Sequence, residues 1–200
     1  IAEDNHTLVV MQRPELTRLR DTDGDGEADH YQTISDDFGM TGNYHEFAFG
    51  PARDKDGNYY VGLNLASSGA SIRPEIRGEF RHYGISREQF YKNHKAGSGR
   101  MYSATPYRGW IMKIAPDGKT TPFASGFRSP NGVNFDAQGR LWATDNQGDW
   151  LGTSKLFHVK ENNFHGHPAS LTWTDSWEKG RNPLKVPPSE FDAKRTRASV

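Results

Sequence analysis

The stretch HEFAFGPARDKDGNYYVGLN, residues 45–64, decides how this chain is read. Phe47 and Phe49 stand at alternate positions, the chain turns at Asp56-Gly57, and a second run carries Tyr59, Tyr60, Val61 and Leu63. Alternation places side chains on opposite faces of an extended strand. Asp-Gly marks a tight turn, because glycine accepts the positive φ that such a turn demands. The segment therefore predicts an antiparallel hairpin.

The same plan recurs, and internal repetition is the main organisational signal. Residues 131–146, NGVNFDAQGRLWATDN, repeat it about Gln138-Gly139. Residues 109–127, GWIMKIAPDGKTTPFASGF, turn at Asp117-Gly118. Residues 16–37, LTRLRDTDGDGEADHYQTISDD, set Leu16 and Leu19 before an acidic turn and Tyr31 and Ile34 after it, and residues 154–164, SKLFHVKENNF, begin a further copy. Alternating inner and outer hairpins in four-stranded units are the recipe of propeller blades. The expected fold class is all-β, a partial β-propeller of two to three four-stranded blades. Residues 1–177 form that domain and 178–200 an irregular tail leading toward further blades. A long inserted loop at 65–108 lacks strand alternation, with a short helix expected over 86–95; it reads as a functional loop or as a decoration. Because an open propeller leaves bare sheet edges, further blades or a partner chain are expected to complete the ring.

Composition agrees. Aromatics make up 12% of the chain, and each buries a large area, so a core is within reach despite scarce aliphatics. Lys+Arg and Asp+Glu are both 25, which argues against the basic footprint of a nucleic-acid binder. No stretch reaches the roughly 18–20 apolar residues that span a bilayer. The absence of cysteine excludes thiolate metal sites and disulfides within this span. Ile1 in place of an initiating Met suggests a processed, trimmed or partial chain.

Four groups of residues bear chemistry. Asp21, Asp23 and Asp25 alternate with Thr22, Gly24 and Gly26, and Asp29 follows; hard oxygen ligands on a curling loop suit Ca²⁺. Gln32 stands where an EF-hand would place its Glu, so the loop is EF-hand-like only, and the plainer alternative is a solvated acidic turn. Arg128 offers a planar fork for a carboxylate or phosphate and runs into Ser129-Pro130-Asn131-Gly132, with Asp145 one strand later; Asn131-Gly132 reads equally as a turn and Asp145 as a cap. His45 stands at a strand entrance, where a side chain of near-neutral pKa can act as a general base or serve structure alone. His165-Gly166-His167 suggests either a metal pair or a rigid loop.

These residues carry a resemblance. GFRSPNGVNFDAQGRLWATDNQGDW with NNFHGHP, and LTRLRDTDGDGEADHYQTI with the 45–64 hairpin, resemble the soluble quinoprotein sugar dehydrogenases. These are the six-bladed propellers of the glucose/sorbosone dehydrogenase type, with their membrane-associated planctomycete-type relatives. The likeness covers roughly residues 8–64 and 109–175. It implies a sugar or other small-molecule substrate, hydride transfer to pyrroloquinoline quinone (PQQ), Ca²⁺ at the quinone oxygens, and a periplasmic or extracellular location. By position it makes His45 the base, Arg128 the ligand of a cofactor carboxylate, and Asn131 and Asp145 part of the cofactor-binding group. Ser129 departs from the family pattern, which favours Asn there. Pro130-Asn131-Gly132 with Asp145 also resembles gluconolactonase-like propellers, where Asn and Asp hold a divalent metal and Glu46 would be the nearest further acid. A non-enzymatic, calcium-stabilised binding propeller is the third reading.

Overall fold

The computed structural model describes residues 1–68, 72–73, 75–82, 86, 88, 100–150 and 152–199. The helix expected over 86–95 lies outside the described residues, apart from Ser86 and Glu88.

The fold is all-β. Strands β1 (Ala2–Asp4), β2 (Thr7–Met11), β3 (Leu16–Arg20) and β4 (His30–Ser35) form an antiparallel sheet in chain order. A second sheet holds β5 (Ala48–Arg53), β6 (Tyr59–Leu63), β9 (Trp110–Ile114) and β10 (Thr120–Ser125), in the order β5-β6-β9-β10. Between β6 and β9 the chain leaves for the insertion, whose stem is the two-stranded ribbon β7 (Ala66–Ser67) and β8 (Met101–Tyr102). The third sheet is β11 (Pro130–Phe135), β12 (Leu141–Asp145) and β13 (Lys155–His158). Short 3-10 turns at Pro168–Trp173, Pro183–Lys185, Pro188–Glu190 and Asp192–Lys194 follow.

The hairpin turns fall where glycine permits them, with φ of 85° at Gly57, 89° at Gly118 and 74° at Gly139. The 45–64 and 109–127 hairpins join in one four-stranded sheet, because β6 pairs with β9 from Tyr59↔Ile114 to Leu63↔Trp110. One expectation is corrected. The insertion is not devoid of strands, since β7 and β8 pair at its base and bury Leu65, Ala66, Met101 and Tyr102.

Stacking of the three sheets explains why all of β6 is buried. Tyr59, Val61 and Leu63 point to one core, shared with Val9 and Leu16 of the first sheet and with Trp110, Met112 and Ile114. Tyr60 and Ile111 point the other way, into a core with Val133, Leu141, Ala143 and Phe157 of the third sheet. A sheet covered on both faces needs apolar residues at every position of its central strands. Tyr31 is the exception to the expected pattern: β4 is an edge strand, and this side chain is 66% exposed. Polar ties supplement the cores. Tyr59 donates to Glu3, which also holds Arg18 at 2.7 Å, and Ser35 Oγ meets Thr120 Oγ1 at 2.5 Å.

Among the described residues no helix is long and apolar enough to cross a membrane.

Candidate functional site

His45 lies in the turn that precedes β5, half-buried. Its position is fixed by Asn43, which is fully buried. The Asn43 side-chain oxygen accepts from the N–H groups of His45 (3.0 Å) and Ser67 (3.2 Å), and its amide donates to the Ser67 carbonyl at 3.0 Å. One side chain thus ties the His45 turn to the ribbon strand β7. The imidazole closes the same link, with Nδ1 2.5 Å from Ser67 Oγ.

Behind His45 stands a buried polar layer. Glu46 accepts from the Thr41 N–H at 2.7 Å through Oε2, while its buried Oε1 has no hydrogen-bond partner among the described residues. Arg108, fully buried, donates to the carbonyls of Gly39 (2.8 Å), Phe47 (3.3 Å) and Glu46 (3.4 Å), leaving Nη2 without one. Burial pulls the Arg108 guanidinium down to about 10, against the pull of the Glu46 charge. The Tyr102 phenol is pushed up by burial and by the same carboxylate. A buried charge of each sign, held by backbone carbonyls and amides, is expensive to break and rigidifies the turn that carries His45.

Arg128 is set by the third sheet. Its backbone N–H and that of Ser129 donate to the Asp145 carboxylate at 3.2 and 2.7 Å. Asp145 sits at the end of β12 opposite Pro130 and is buried, which pushes its carboxyl upward against the hydrogen bonds from Ser129 and Arg128. Lys155 Nζ stands 4.0 Å from it. The guanidinium of Arg128 is 3.6 Å from Asp149, and its buried Nε has no hydrogen-bond partner among the described residues. Gly148 makes room for it: a Cβ there would lie 1.9 Å from Arg128 Nε.

Asp149 joins the two groups. It accepts from the N–H of Met101 at 2.9 Å, and Met101 is the register partner of Ser67. Its other oxygen meets His167 Nε2 at 3.2 Å. His167 Nδ1 accepts from Ala169 at the start of a 3-10 turn, so Nε2 carries the proton and donates it to Asp149. Burial raises the Asp149 carboxyl, but the hydrogen bonds from His167 and the Met101 N–H outweigh it and leave it below the usual range.

The structure is similar to a solved structure named "glucose dehydrogenase", with a TM-score of 0.45 and 12% sequence identity over 81% of this chain. The chain spans 44% of that protein's length. No family model matches the sequence, and no curated protein matches it.

The remaining sequence expectations fall as follows. Asn131 lies within β11, not in a connection, and is exposed. Asp145 is likewise within a strand, and its oxygens are engaged by backbone N–H groups. Carboxylate oxygens of Asp21, Asp23 and Asp25 lie within 4.8 Å of one another. Asp29, the fourth expected ligand, stands apart from that group, because its two oxygens hold the N–H (3.1 Å) and hydroxyl (2.6 Å) of Thr22. Asp21 accepts from the N–H groups of Gly24 and Gly26, which outweigh desolvation and lower its pKa. His165 and His167 do not pair. The first is wedged between Phe127 and Phe157, with ring centroids at 4.5 and 4.6 Å, and burial lowers it to about 3. Sequence reasoning missed Ser67, Arg108 and the Asp149–His167 link. The polar Asp149 beside the Arg128 motif was the one available signal.

Proposed function

We propose that the three stacked sheets are sectors of a β-propeller, closed by further blades or by a partner chain. In this reading the chain belongs to a quinoprotein-type oxidoreductase that removes hydrogen from a sugar or alcohol outside the cytoplasm. The observation that supports this reading best is the ribbon. Ser67 holds His45, and the N–H of Met101 is held by Asp149, the acid beside Arg128. Register partners in an antiparallel pair have Cα atoms about 4.5–5.5 Å apart, so the base and the cation are anchored to two ends of one short bridge.

The residues present fit part of a PQQ site. Arg128 has a buried Nε without a hydrogen bond among the described residues and a cradle kept open at Gly148, which suits one carboxylate. Two acids, Asp145 and Asp149, already face the two cations Arg128 and Lys155, so a three-carboxylate cofactor needs further cations. Bound PQQ supplies the hydride acceptor. His45 takes the hydroxyl proton. With Nδ1 held by Ser67, Nε2 is the nitrogen left to receive it. Asn43 and the Arg108–Glu46 layer keep that imidazole in place. Asp21, Asp23 and Asp25 hold a structural Ca²⁺, which relieves the repulsion of three close carboxylates.

Dye-linked oxidation of a panel of aldoses, with PQQ and Ca²⁺ added and with the further blades or partner chain present, tests the reading. His45→Ala should lower turnover by about 10²–10⁴-fold and leave cofactor binding intact; no dye reduction by the wild type across the panel would end it. Calorimetric Ca²⁺ titration should give a saturable heat that Asp23→Ala abolishes, and flat traces for both would remove the metal. A metal lactonase gains no support from Glu46, which is buried behind Thr41 and Arg108.

A further inference from the structure

A concave site lies between the outer strand β10 and the segment that follows β13. It is a cleft of about 530 Å³ that contains none of His45, Arg128, Asn131 and Asp145. Tyr107 and Trp177, partly exposed, supply aromatic surface over the buried Trp110 and Trp173, and Asn162 and Asn163 line it as well. Trp110 and Trp173 are seated from behind, since their indole N–H groups donate to Ser170 O (3.1 Å) and Ser103 Oγ (2.9 Å). Trp177 is pinned by its N–H on Arg181 O at 3.1 Å and by the Arg181 guanidinium 5.0 Å from its ring centroid.

Backbone geometry singles out the same cleft. Among the described residues, the two non-glycine residues with positive φ are Tyr107 (65°) and Asn162 (63°), and both line it. Asn tolerates that conformation cheaply, but a bulky Tyr does not. Strained residues persist only where their surroundings over-determine them, and they cluster at ligand clamps. Tyr107 packs against Trp110, edge to face at 5.7 Å.

Charge narrows the ligand. Arg181 is paired with Glu190 at 2.7 Å, and the other charged lining residues are one acid, Asp175, and one base, Lys194. A balanced wall has no preference for an anion or a cation. Flat aromatic faces suit the C–H faces of a pyranose ring, and side-chain amides match hydroxyls as donor and acceptor at once. We infer that this cleft binds a neutral saccharide unit of a glycan, at a site separate from the proposed redox centre and independent of that proposal.

Tryptophan fluorescence of the whole chain, titrated with maltohexaose, cellohexaose, xylohexaose and laminarihexaose, tests it. The inference predicts saturable quenching by at least one of the four, weakened at least tenfold in both Trp177→Ala and Asn162→Gly. His45→Ala should bind as the wild type does, which separates this site from the redox reading. Asn162→Gly keeps the backbone conformation available, so its loss of binding cannot be laid to misfolding. No saturable response to any of the four sugars, or equal affinity in the wild type and both variants, would overturn it.

Discussion

If the second sheet is covered on both faces, small deletions on its two sides must each cost stability, and the costs must add. Val61 and Ile111 are both fully buried but belong to different cores, the first facing β2 and β3, the second facing β11 and β12. Val61→Ala removes two methyl groups, worth about 0.8 kcal/mol each, and a cavity contribution brings the cost to about 2–3 kcal/mol. Ile111→Val removes one, for about 0.5–1.5 kcal/mol. Sharing no core partner, the pair should give about 2.5–4.5 kcal/mol together, with departure from additivity under about 0.5 kcal/mol. Urea unfolding followed by tryptophan fluorescence reads all three variants. A cost below about 0.3 kcal/mol for either single change would mean that its face is not covered. Coupling above about 1 kcal/mol would mean that the two cores are one.

Other outcomes follow from the site. Ser67→Ala removes one hydrogen bond from His45 and should lower kcat/KM for sugar oxidation by about 2–10-fold, from a bond worth about 0.5–1.5 kcal/mol; Ser67→Thr, which keeps the hydroxyl, should restore most of it, and no loss in Ser67→Ala would show that His45 is oriented by other contacts. Asp149 has a folded pKa below its unfolded value, so its stabilisation is present above about pH 4 and is lost as pH falls through the folded pKa. Urea midpoints between pH 5 and 2 should therefore drop less steeply in Asp149→Asn than in the wild type, and parallel slopes would discount the His167 link.

Much of this was legible in the sequence because it is written in local chemistry. Asp56-Gly57, Asp117-Gly118 and Gln138-Gly139 each needed a residue free to take positive φ, and each turn is where the glycine stands. Which hairpins share a sheet was not legible. The partner of β6 lies beyond the whole insertion, and no local pattern records that β6 continues into β9. The ribbon β7–β8 is too short to show a period of two, so Ser67 and its hold on His45 left no trace in the alternation. The repeat places Tyr31 on the strand after the acidic turn but does not say which face it takes, and on an edge strand it is exposed. His165-Gly166-His167 reads in sequence as either a metal pair or a rigid loop, and the structure sends the first histidine between two phenylalanine rings and the second to Asp149. In the Asp21–Asp29 loop the spacing of carboxylates was plain, whereas the capture of Asp29 by Thr22 depends on how the loop curls.

The most direct test of the account is equilibrium binding of PQQ, in the presence of Ca²⁺, to the wild type, Arg128→Ala and Gly148→Ala, each with the further blades or partner chain that complete the proposed ring. The first variant deletes the cation; the second leaves it in the sequence but fills its cradle with a methyl group 1.9 Å from Nε. A charge-assisted contact worth about 1.5–3 kcal/mol predicts saturable wild-type binding that weakens about 10–100-fold in both variants. Superimposable isotherms for all three proteins, or no saturable binding to the wild type, would contradict it.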